Sequence, residues 1–101
     1  MIDLAVRLDR DYIFEMKSTT EQNIRSQVRK GMSQLYEYRY FQNLPFAKLI
    51  LVVENPLSAS HSWMLEYLEN DREIYIVWDG NSELYGSQRS IDELGFLGLQ
   101  S

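Results

Sequence analysis

Apolar residues recur at every second position where the chain begins. Ile2, Leu4, Val6 and Leu8 share one side, the period of a half-buried strand over residues 2–8. Asp9-Arg10-Asp11 is a polar turn. Residues 12–17, Tyr-Ile-Phe-Glu-Met-Lys, are rich in aromatic and β-branched types and predict a second strand. So short a connection predicts an antiparallel hairpin. The period then changes. Ile24, Val28, Gly31, Leu35 and Tyr38 repeat at three and four residues and predict one buried stripe on a helix over about residues 21–42. Ser18 with Glu21 three residues on forms a capping box, and Thr20 is a second candidate cap. Gly31 on the stripe either marks a close approach to the sheet or is a tolerated helical glycine.

Leu44-Pro45 ends the helix, because a residue before proline avoids the helical region. Phe46 to Val53 is nearly continuous apolar sequence with one Lys, which predicts a strand buried on both faces. A strand, a long helix and such a strand form the crossover pattern of an α/β layer. Further on, Ser60 is placed to cap a short helix over about residues 61–69, with Met64, Leu65 and Leu68 inward. Residues 73–78 alternate as a strand, Asp79-Gly80-Asn81 is a hairpin turn, residues 82–85 form an edge strand, and residues 91–97 a last helix. The expectation is an α/β sandwich: a central mixed sheet, its first two strands a hairpin, with the long helix across it.

The 101 residues suit one domain, residues 1–101, and the 45% hydrophobic and 25% charged composition is that of a globular chain. The absence of cysteine excludes a disulfide framework, a thiolate zinc site and a cysteine nucleophile. The longest apolar run, Leu49 to Val53, is far short of a membrane span, and no basic leader precedes an apolar core. A cytoplasmic protein with no membrane association is the expectation. The net charge of −5 argues against a polyanionic partner, but it is unevenly spread. Residues 17–48 hold six basic and two acidic side chains (+4), whereas residues 49–101 hold nine acids against Arg72 and Arg89 (−7). The basic middle is either a solvated helix face or a surface for a polyanion.

Glu15-Met16-Lys17 is the first candidate for chemistry. Glu15 and Lys17, two apart on a strand, point to the same face. An exposed strand pair would also explain them. A functional reading gains from order: an acid, Asp3, on the preceding strand, then E-x-K, then a helix with its own polar signature. Two converging carboxylates can share a hard cation such as Mg²⁺ or Mn²⁺, and a nearby lysine can stabilise developing phosphate charge. The helix signature is Gln34 and Tyr38, four apart and therefore neighbours on one face. At 100° per residue Gln34 lies about 80° from the stripe centre, where it is either a boundary residue satisfied by water or a ligand contact. Glu37 is either structural or part of the site. Tyr36 and Tyr40 share a predicted solvent side with Arg25 and Arg29, a candidate DNA-backbone surface. His61, the single histidine, fits a surface or capping role.

The order Asp3, Glu15-x-Lys17, Gln34-x-x-x-Tyr38 resembles the PD-(D/E)xK nuclease superfamily, the restriction-endonuclease-like fold, in its branch with a Q-x-x-x-Y helix motif. The motif match covers residues 2–38. The resemblance implies a Mg²⁺- or Mn²⁺-dependent DNA nuclease, with Asp3, Glu15 and the main-chain carbonyl of Met16 as metal ligands. Lys17 would be the catalytic lysine, and Gln34 and Tyr38 the helix pair that supports the site and contacts substrate. The alternative is a catalytically inactive nuclease-like domain that binds DNA or protein. Ile2 stands where the family usually has proline, and the family's helix before the first acid has no counterpart ahead of Asp3. The chain is then a fragment, is completed by another copy, or is a reduced relative. A missing layer would leave apolar surface open and favour a homodimer or larger assembly.

Overall fold

The computed structural model describes residues 4–8, 10–80 and 82–101. Five strands form one mixed sheet in sequence order: β1 (Leu4–Arg7), β2 (Asp11–Lys17), β3 (Lys48–Val53), β4 (Ile74–Gly80) and β5 (Glu83–Gly86). The outer pairs β1–β2 and β4–β5 are antiparallel, and the inner pairs β2–β3 and β3–β4 are parallel. The first hairpin register joins Leu4 to Phe14 and Arg7 to Asp11. The predicted Asp79-Gly80-Asn81 turn includes Asn81, which lies outside the described residues; beyond it Ser82 takes a left-handed conformation at φ 67°.

Two parallel pairings in sequence order need two crossovers, and chirality sends both over the same face. The first is α1 (Ile24–Phe41). The second runs through a 3-10 turn (Ala59–His61), a short helix α2 (Trp63–Glu66) and a π turn (Tyr67–Asp71). Ile24, Val28 and Leu35 from α1 meet Ile13, Leu49, Leu51, Val53, Ile74 and Ile76 of the sheet, and Met64 and Leu68 complete that layer. The other face buries Tyr12, Phe14, Ile50, Tyr75 and Val77 beneath the C-terminal segment. That segment is α3 (Gln88–Glu93) with a 3-10 turn (Gly95–Leu97), and it presses Leu94, Leu97 and Leu99 onto the sheet. Both faces therefore have helical cover, and the open layer expected from the sequence is not found among the described residues. The C-terminal segment supplies the second layer.

The ends of the helices differ from the sequence expectation. The reciprocal bonds before α1 join Thr20 and Asn23, not Ser18 and Glu21. The Thr20 amide donates to Asn23 Oδ1 (2.6 Å) and the Asn23 amide to Thr20 Oγ1 (3.2 Å). Glu21 instead turns to the β3–α2 connection. Ser58 Oγ and Ser60 Oγ donate to its Oε1 at 2.8 and 3.0 Å, with His61 Nδ1 3.2 Å away. The Ser58 hydrogen bond is the main reason its carboxyl is held below the usual range. Ser87, four residues ahead of the expected start of the last helix, caps α3 by accepting from the Ser90 amide (3.1 Å).

Glu69 closes the sheet at β4. The strand β5 pairs with β4 from Val77 onward, which leaves the earlier edge of β4 without a strand neighbour on that side. Unpaired strand backbone is a liability unless covered. Glu69, 4% exposed, fills the place: its Oε2 accepts from the Ile76 amide (3.2 Å) and Ser90 Oγ (3.0 Å), and its Oε1 from Ser87 Oγ (2.6 Å). One carboxylate thus joins the second crossover, β4 and α3. The outer edge of β5 is met by the chain terminus, where the Gln100 amide donates to Leu84 O (2.8 Å) and the Gly86 amide to Gln100 O (3.0 Å). Replacing Glu69 with Ala strands three donors, and hydrogen bonds to a charged group are worth roughly 1.5–3 kcal/mol each. Glu69→Ala is expected to lower stability by at least about 2 kcal/mol in urea titration, and an unchanged midpoint would show that water replaces the carboxylate freely.

Candidate active site

The alternation of β2 decides where its charges go. Tyr12 and Phe14 enter the layer under α3, and Ile13 enters the layer under α1. Glu15 and Lys17 follow Ile13 to the α1 side, as period two requires. A charged pair beneath a helix needs space, and Gly31 provides it. A Cβ at position 31 would stand 3.4 Å from Lys17 Cγ, 3.7 Å from Glu15 Cγ and 2.6 Å from Leu51 Cδ1. The close-approach reading of Gly31 is therefore the one that holds.

Within this space Lys17 Nζ lies 3.2 Å from Glu15 Oε2, with the two side chains 13% and 3% exposed. Desolvating both ions is costly, and their attraction offsets that cost only while both are present. The exposed-pair reading of E-x-K is excluded by this burial. Gln27 Nε2 donates to the Ser18 carbonyl (2.9 Å), and Asn55 Nδ2 to the Thr19 carbonyl (2.9 Å). These two amides pin the chain where it leaves β2, directly after Lys17. Lys17 also reaches a surface groove of about 210 Å³ with Met16, Ser18, Val53, Glu54 and Asp79. That groove lies at the C-terminal ends of β2 and β3, where open α/β sheets commonly take ligands.

The remaining candidate residues divide. Gln34 is half-buried on α1 with its Oε1 enclosed. It sits one turn beyond Gly31, roughly 4.5 Å further along the axis at 1.5 Å per residue. Tyr38 is roughly 10 Å beyond Gly31 by the same rise and packs against the apolar layer under α1. The structure thus joins Glu15 to Lys17, sets Gln34 a turn away, and gives Tyr38 a place in the core. Met16 is 53% exposed, its side chain turned from the α1 face. Asp3 lies outside the described residues. It precedes Leu4 in sequence, and Leu4 pairs with Phe14, the residue before Glu15. Among the described residues no three His, Asp or Glu side chains converge on one point.

The surface expected from Tyr36, Tyr40, Arg25 and Arg29 is not continuous. Tyr36 turns inward, its hydroxyl donating to the Arg72 carbonyl, and burial raises its pKa. Arg25 stacks over Trp63 at 5.5 Å instead, and Tyr40 extends into solvent at 79% exposure. The chain at Arg72, after the second crossover's π turn, comes within reach of Tyr36, which helical spacing alone does not show.

No protein-family model, curated protein or solved structure matches this chain. No helix of the described residues is long and apolar enough to cross a membrane.

The ion pair makes a double-mutant cycle informative. Lys17→Met removes the cation beside the buried Glu15 carboxylate and is expected to cost about 3–5 kcal/mol in urea titration. Adding Glu15→Gln is expected to recover at least about 1 kcal/mol of that loss. A double variant less stable than Lys17→Met alone would contradict the burial of the pair.

Proposed function

We propose that the chain is a nuclease-like domain of the restriction-endonuclease type, hydrolysing DNA phosphodiester bonds with the aid of a divalent cation. The observation that carries this reading is the Glu15–Lys17 pair, desolvated under Gly31 and reaching a groove at the strand ends through Lys17. Charge is costly to bury and is rarely retained in a core without a role. The mixed sheet with its first crossover helix carrying Gln34 and Tyr38 is compatible with the same fold.

The donor chemistry suits Mg²⁺ or Mn²⁺, hard ions that favour carboxylate oxygen. Glu15 supplies one carboxylate, and on this reading Asp3 supplies the second and the Met16 carbonyl a third ligand. When bound, the ion contributes Lewis-acid stabilisation of the phosphate and a more acidic water. In the reaction a water oxygen bonds to phosphorus as the bond to a sugar oxygen breaks; the attacking water gives up a proton to solvent, and the leaving alkoxide takes one up from solvent. Lys17, released from part of its bond to Glu15, donates to a non-bridging phosphate oxygen as charge grows there. Gln34 supports Glu15 from the next helical turn, and Tyr38 fixes the helix that holds Gly31 over the pair.

A second reading, a relative that binds DNA or protein without cutting, is favoured by one observation. The Glu15 side chain is 3% exposed and already engaged by Lys17. Incubating plasmid, linear duplex and single-stranded DNA with Mg²⁺ and Mn²⁺ separates the two. Wild type is expected to cleave, with the activity lost in chelator and in both Glu15→Gln and Lys17→Gln variants of native circular dichroism. Calorimetry is expected to show Mn²⁺ binding that Glu15→Gln abolishes. A folded wild type that neither cleaves nor binds Mn²⁺ would overturn the hydrolase reading and leave the binding one.

A further inference from the structure

The opposite end of the molecule concentrates a different chemistry. Lys48, which opens β3, pairs in register with Tyr12, five residues before Lys17 and so roughly 17 Å from it along the strand. Here two surface grooves of about 410 and 330 Å³ meet at Arg39 and Pro45, which line both. Arg10, Lys48 and Arg89 line the second, against one carboxylate, Glu73. In a chain of net charge −5 this is a local reversal of sign.

The charge is partly cancelled, because Glu93 acts on Arg10 and Arg89 as well as on Lys48. Lys48 is neutralised by Glu93 (2.6 Å). Burial, the largest single influence, would lower its pKa, but Glu93 and Tyr75 together outweigh that and hold it above its usual value. Arg89 bonds to the Glu69 carbonyl and to Asn70 Oδ1, which are neutral acceptors, and stacks on Tyr75 at 5.4 Å. Arg39 stacks on Tyr36 at 5.0 Å, and Arg10 is exposed. Among the described residues none of these three arginines has a carboxylate within ion-pair distance.

Exposed aromatic rings stand beside the cations. Tyr40 lines the first groove at 79% exposure and Phe46 the second at 88%. Exposed aromatic rings offer flat faces on which unstacked bases can pack. Arginines that track phosphates, with open rings on which bases stack, form the pairing that holds single strands. A duplex keeps its base faces stacked, so Tyr40 and Phe46 would gain nothing from it. A bilayer surface would favour cations on a flat face, whereas here they line grooves.

We propose that this basic, aromatic-edged groove binds single-stranded nucleic acid, phosphates at Arg10, Arg39 and Arg89 and bases on Tyr40 and Phe46. The inference rests on the nuclease reading for the class of polymer, and adds its strandedness and its path. The test is fluorescence anisotropy of a short fluorescein-labelled oligothymidylate in chelator, where cleavage plays no part. Wild type is expected to bind, and added salt to weaken the complex. Phe46→Ala is expected to weaken binding about fivefold or more, and Arg10→Ala to lower the salt dependence. Both side chains are exposed, so neither variant disturbs the core. No binding, unchanged binding by Phe46→Ala, equal or tighter binding of the matching duplex, or binding to phosphatidylserine vesicles in place of the oligonucleotide would each overturn the proposal. Anisotropy without cleavage sinks the hydrolase reading and keeps this one; cleavage with Phe46→Ala binding as wild type does the reverse.

Discussion

A single ion pair sets the conditions for the layer around it. Glu15 and Lys17 cannot leave the α1 face without slipping β2 by one residue, which would expel Ile13 from the core with them. They cannot stay there unless the helix above lacks a side chain, and Gly31 is that gap. The crossing point of α1 over β2 and β3 is therefore constrained by one charged pair and one glycine. Leu51 packs into the remaining space, fully buried. Polar groups from two connections, Gln27 and Asn55, then fix the strand exit beside Lys17.

A related constraint governs the far side. Two parallel crossovers on one face leave the other face and the β4 edge in need of cover. The C-terminal segment covers the face with Leu94, Leu97 and Leu99, and Glu69 reaches the edge with a carboxylate bound by three donors. Lys48 and Glu93 tie α3 back to β3. The two ends of the sheet are consequently unlike. One holds a desolvated ion pair, the other a shallow basic groove rimmed with aromatic rings. On the proposed reading, a nucleic-acid partner would use both for different purposes, chemistry at one and grip at the other.

Much of this was legible in the sequence, for identifiable reasons. Period two put Ile13, Glu15 and Lys17 on one face, and period 3.6 put Ile24, Val28, Gly31 and Leu35 on one stripe. The unbroken apolar run before Val53 matched its place between two parallel neighbours. The less legible features depend on competition or distance. Ser18, Thr20, Glu21 and Asn23 all offer caps, and which bonds form depends on Ser58 and Ser60 lying close in space. Glu69 closed the helix expected over residues 61–69 and was not among its inward residues, but the π turn over Tyr67–Asp71 shifts the face and buries Leu68 and Glu69 together. Gln34 and Tyr38 had a readable angle around α1, but their distance from Glu15 depends on how far along its axis the helix crosses the strand. The basic groove draws Arg10, Arg39, Lys48 and Arg89 from four separate segments, so no charge run announced it.

The most direct measurement of the central claim is the stability of Gly31→Ala. An ordinary helical glycine gains about 1 kcal/mol when replaced by alanine. If α1 closes on Leu51 and Lys17 as described, the added methyl must displace a fully buried leucine, an overpacking cost of about 1–3 kcal/mol. A lower urea midpoint with an unchanged m value is expected. A midpoint raised by the full helix-propensity gain would mean that the helix stands clear of the strand and that Glu15 and Lys17 are not enclosed beneath it.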